Sequence, residues 1–116
     1  MKVALAASAL AACDPAPMTI DQYKCPPGGT TLTYANFGAQ FFANNCNTCH
    51  SAPDGDARHG APDDVHFDTL DDVLAHKPQI FVDAAGPNTS MPPGPDDPPL
   101  DQRDDLEEWL GCGAAP

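Results

Sequence analysis

At 116 residues and a formal net charge of −12, the chain is sized for one small domain and is a poor match for nucleic acid, whose phosphates call for clustered Lys and Arg. Its five cations are scattered at Lys2, Lys24, Arg58, Lys77 and Arg103, so the acidic excess serves solubility or steering toward a basic partner. Fourteen Pro, nine Gly and no alternating Val, Ile or Thr run exclude an extensive sheet, and five Cys in so short a chain point to a staple, metal or cofactor.

Residues 1–12 read as a signal peptide, with Lys2 as a minimal positive start and Val3 to Leu10 as a short apolar run. Eight such residues are too few for a stable membrane-spanning helix. Leu10-Ala11-Ala12-Cys13 resembles the bacterial lipoprotein signal. That resemblance implies cleavage before Cys13 and a lipid anchor on it; the plain alternative is an apolar N-terminus with an incidental Cys. Twelve residues are few for a leader, usually roughly 15–30, so the start codon is open. Residues 13–30 form a linker rich in Pro and Gly. The 12 steps from Cys13 to Cys25 reach at most roughly 40 Å, keeping the domain, residues 31–116, near the membrane.

A helix then opens at Thr33, a good N-cap, with Tyr34, Phe37, Phe41 and Asn45 at helical spacing and Gly38 on the same face. It leads into Cys46-Asn47-Thr48-Cys49-His50, a C-x-x-C-H motif. Two thiols three positions apart can each join one haem vinyl group, and the next residue sets its imidazole on the iron, so the motif predicts one c-type haem on Cys46, Cys49 and His50. A thioredoxin-like pair would need a βαβ context, and a zinc site a second close ligand pair; neither is visible. Further along, residues 68–77 and 78–85 predict two short helices with Leu70, Val73 and Leu74 inward. His76 falls near the end of the first, where a cation suits the dipole. A helix over 101–110 is capped by Asp101, carries Leu106, Trp109 and Leu110 on one face and ends at Gly111. The Asp pairs at 63–64, 71–72, 96–97 and 104–105 read as solvated surface; no catalytic triad or phosphate loop is visible.

From about Thr31 to Ala114 the chain resembles the cytochrome c family. The resemblance implies an all-α fold: a small cytochrome c domain with three to five short helices and long loops around one covalently bound haem. It implies that Gly38 with Phe37 or Phe41 packs against the last helix at Trp109. Pro62, 12 residues after His50, matches the Pro whose carbonyl accepts the proximal imidazole's hydrogen bond. Met91, in the run Met91-Pro92-Pro93 and 41 residues past His50, matches the sixth iron ligand. Met18 lies in the linker, and His59, His66 and His76 are the rivals that would give bis-His ligation. Phe37, Phe41, Phe42, Phe67 and Phe81 are candidates for lining the haem pocket. With lipid on Cys13 and haem on two others, Cys25 and Cys112 remain as a disulfide in an oxidising compartment or as two free thiols.

The function expected is electron transfer by a membrane-tethered monohaem carrier, or by an electron-transfer subunit of a redox complex, on the periplasmic side of a bacterial membrane. Its partners would be redox proteins with a basic docking face. The alternative is a haem-based sensor or small haem enzyme in which Met91 leaves the iron.

Overall fold

The computed structural model describes residues 19–47, 49–51, 61–62, 64–94 and 97–116. The expectations for the leader, Cys13, Met18 and His59 lie outside them. Every regular element among the described residues is helical: a 3-10 turn at Ile20–Gln22, a wide π turn at Tyr34–Gly38 running into α1 (Ala39–Asn45), then α2 (Leu70–Ala75), α3 (Lys77–Ala84) and α4 (Leu100–Gly111). No helix among them is long and apolar enough to cross a membrane.

The element starts follow from side chains that satisfy orphan backbone donors. Thr33 Oγ1 accepts from Asn36 N at 3.0 Å, and Asn36 Oδ1 accepts from Thr33 N at 2.7 Å. Thr69 and Asp72 repeat the reciprocal pair at the start of α2. His76, at φ −117° and ψ 13°, leaves the helical region and separates α2 from α3. Pro78 then sits in the first turn of α3, where its missing N–H costs nothing. The last helix starts one residue earlier than expected: Pro99 is its N-cap, and Asp101 lies in the first turn, where its charge suits the helix dipole. Gly111 does not end it. Gly113, at φ +106°, takes the left-handed position, with Gly113 N bonded to Leu110 O and Ala114 N to Trp109 O. Gly111 stays inside the helix because the Tyr23 ring lies against it, where a Cβ would stand.

Phe42, Val73, Phe81, Leu106, Trp109 and Leu110 are fully buried. Trp109 is the hub of the α1–α4 contact, with Tyr34, Phe37 and Phe42 rings 6.2, 6.4 and 6.3 Å from its own. Gly38 lets the two helices close: a Cβ there would stand 3.1 Å from the Trp109 ring. The Trp109 indole donates to Ala115 O at 3.0 Å, and Tyr34 N donates to the same oxygen at 2.8 Å, so the C-terminal tail ties both helices. Leu74, expected inward, is 41 % exposed; in a helix of six residues Val73 and Leu70 fill the inner face.

The stretch expected as a linker is attached to the domain from Ile20 on. Ile20 and Tyr23 pack against the core, and the Tyr23 ring meets Phe81 edge-on at 6.1 Å. A disulfide between Cys25 and Cys112, with Cα atoms 5.0 Å apart, then fastens this segment to the end of α4.

Candidate functional site

The C-x-x-C-H residues follow the end of α1, where the chain winds into a tight turn. Cys46 O accepts from Cys49 N at 3.1 Å and from His50 N at 2.9 Å. That turn brings both sulfurs and the imidazole to one cavity of about 380 Å³, within the range of small-molecule and cofactor sites. Its lining is mostly apolar. Besides Cys46, Cys49 and His50 it includes Met91, Pro92 and Pro93, so the motif meets a fourth expected ligand 41 residues further along the chain. Cys46 and Cys49 are unpaired thiols, not a disulfide.

His50 is held in one orientation. Its Nδ1 lies 2.9 Å from Val65 O, and since a carbonyl only accepts, Nδ1 carries the proton and Nε2 keeps the lone pair. The Phe67 ring stacks at 4.9 Å, and Phe67 N donates to His50 O at 2.8 Å. Asn47 Nδ2 closes the clip on Phe67 O at 3.0 Å. The expected partner of the imidazole was the Pro62 carbonyl, and this is corrected. Pro62 O instead accepts Val65 N at 3.0 Å, closing a turn that presents the Val65 carbonyl to the ring; Pro62 itself still lines the cavity.

Burial pushes the Cys46 thiol up to about 12; the Arg103 charge pulls it down and Cys49 pushes it up, both more weakly. The sulfur therefore stays protonated at neutral pH. A dithiol oxidoreductase needs the reverse, a thiolate at a lowered pKa.

The histidines divide. His76 also lines the cavity, with its Nε2 donating to Asp64 O at 3.1 Å and its ring edge-on to Phe67. His66 faces Asp68 and Asp72 outside the cavity, with Nδ1 3.3 Å from Asp72 Oδ2. Both carboxylates already have local work: Asp72 caps α2, and Asp68 accepts the Ser51 hydroxyl at 2.5 Å. Of the five Phe, Phe42 and Phe67 line the cavity, whereas Phe37, Phe41 and Phe81 turn into the core, so the expectation for those three is corrected.

Sequence reading missed the α3 contribution, Gln79, Ile80, Asp83 and Ala84, and also Val65. The spacing of the α3 set, i, i+1, i+4, i+5, is one helix face and was available as a signal. In the sequence Arg103 stands as one more scattered cation. It shares the inner stripe of α4 with Leu106 and Leu110 at i, i+3, i+7, and a cation on an apolar stripe is the signal that sets it apart. Compared with protein-family models, curated proteins and solved structures, the chain matches none.

Proposed function

We propose that the chain carries one haem, joined by thioethers to Cys46 and Cys49 with His50 and Met91 as axial ligands, and passes single electrons. The observation that supports this most is the convergence of two unpaired thiols, an imidazole with a free Nε2 and Met91 on one apolar cavity. The donor set fits the group. Each thiol would add its S–H across one haem vinyl double bond, with sulfur on one carbon and hydrogen on the other. The bound haem would supply a reversible one-electron change at iron.

The chain's own residues do the rest. Val65 O fixes the His50 tautomer and makes its free nitrogen a better donor. Met91 offers a soft thioether, which favours the reduced metal and raises the potential. Pro92 and Pro93 stiffen the backbone behind it. Phe42, Phe67 and Ile80 keep water from the cavity wall. With His50 and Met91 both holding the iron, no coordination place would be left for substrate, which would suit a carrier more than an enzyme. The anchor on Cys13, the periplasmic face of a bacterial membrane and a basic redox partner complete the proposal, the last from the net charge of −12.

The test is the optical spectrum of the holoprotein. A methionine–iron charge-transfer band in the near infrared, unchanged by carbon monoxide and lost in Met91→Ala, is the expected result. High-spin iron that takes up the gas in the unmutated protein would instead favour the sensor or enzyme reading.

A further inference from the structure

Arg103 is 2 % exposed, on the face of α4 that packs inward. Its Nη1 donates to three backbone carbonyls: Ala84 at 2.8 Å, Asn88 at 3.0 Å and Met91 at 2.8 Å. Ala84 ends α3, and Asn88 and Met91 belong to the loop between α3 and α4. The Met91 backbone is thus held at both ends, since Met91 N donates to Asp83 O at 2.8 Å. Arg103 Nη2 faces Asp97 Oδ1 at 3.8 Å, and that same oxygen accepts Gly94 N at 3.1 Å, which braces the far side of the loop. Asn88 adds a bond of its own to Phe81 O at 3.0 Å.

A buried guanidinium without a full carboxylate partner is costly unless its donors are satisfied. Here three carbonyls, two of them from the Met91 loop, satisfy Nη1, while Nη2 has no hydrogen bond and only the Asp97 carboxylate nearby. The dependence runs both ways: Ala84, Asn88 and Met91 all share that one donor nitrogen, so the loop keeps this shape only while the guanidinium is in place.

We infer that Arg103 is the positioning residue of the Met91 loop, setting how firmly the Met91 thioether holds its place in the cavity. The inference rests on the reading of Met91 as an axial ligand. Arg103 touches neither the thioether nor the other proposed ligands; it acts through the Met91 carbonyl.

The experiment uses the ferric holoprotein at neutral pH and titrates it with imidazole, which competes with a thioether for iron. Arg103→Gln should bind imidazole at least tenfold more tightly than the unmutated protein and show a weakened near-infrared band, with far-UV circular dichroism retained. Arg103→Lys, which keeps charge and much of the volume, should fall between the two and carries the comparison if the Gln variant does not fold. Unchanged imidazole affinity and band in a folded variant would overturn the role of Arg103 and leave the Met91 assignment standing. Absence of the band from the unmutated protein would remove the Met91 assignment and the inference with it.

Discussion

Single residues set the tightest constraints in this chain. Gly38 is one: a Cβ there would meet the Tyr34 ring at 2.9 Å and the ring of the fully buried Trp109 at 3.1 Å. Gly38→Ala should therefore lower stability by about 1–3 kcal/mol, although alanine favours a helix by about 1 kcal/mol. Chemical denaturation checks this, and a more stable variant would contradict the packing account. Val65 is the opposite kind of residue, since only its carbonyl matters to His50, and substitutions of its side chain that keep the turn should leave the imidazole orientation intact. The difference explains what was legible at this scale. Cys46, Cys49, His50 and Met91 were readable because their side-chain chemistry is the signal. The carbonyl that holds His50 was placed at Pro62 rather than Val65 because every residue has a carbonyl. Only the closed turn at 62–65 decides which one faces the ring.

At the scale of elements, caps and charge explain where helices start and how they respond to pH. α4 carries Asp101, Asp104, Asp105, Glu107 and Glu108 within twelve residues. Burial first, then the charges of Asp101, Glu108 and Asp104, raise the Asp105 carboxyl above its usual value. Burial and Asp104 do the same to Glu107. Groups raised in the folded state bind protons more readily there, so their repulsion is relieved as pH falls through the raised values, and the relief is complete below the ordinary carboxylate range. Asp105→Asn should stabilise the protein by about 0.2–0.5 kcal/mol at pH 7, the size of a like-charge helix pair. Thermal melts should show that gain vanish below about pH 4. A gain that persists in acid would mean the charges are not its cause. Asp72 behaves in the opposite sense. Burial raises its carboxyl, but hydrogen bonds from Thr69 and His66 outweigh this and hold it below the usual value. The α2 cap is therefore intact above the ordinary carboxylate range and is lost as pH falls through that lowered value. Helix existence was legible from spacing for all four α-helices among the described residues. The ends were not, because the stops depend on tertiary contact. Gly111 is the helix residue under Tyr23 and Gly113 is the true cap, a distinction carried by a ring that is 88 residues away in sequence.

Across the whole molecule, one long-range tie compensates for a small core, and a second is proposed. The Cys25–Cys112 bond closes 87 residues. In the chain-entropy model a loop of that length is worth about 4–5 kcal/mol, and the double variant Cys25→Ser/Cys112→Ser should lose on that order, read by denaturant midpoint. A loss under about 1 kcal/mol would mean that Ile20 and Tyr23 hold the segment by packing alone. The second tie is the cofactor proposed for the cavity. The cavity of about 380 Å³ lies between α1, the loop carrying Pro62 and Val65, α3 and the Met91 loop, so a group bound there would touch segments from across the domain. The disulfide was one of two readings left open by the cysteine count. The buttress of Arg103 behind Met91 was not legible, since it joins three carbonyls that look like any others in sequence.

The central claim is that Cys46 and Cys49 carry a haem. Intact mass of the chain, produced in a host that matures c-type cytochromes and measured after full denaturation, addresses it most directly. The account predicts a mass increase of one haem that survives denaturation, with Cys46 and Cys49 both resistant to alkylation and a Cys46→Ser/Cys49→Ser variant that lacks the increase. A denatured chain at its bare mass, with both thiols alkylated, would contradict it.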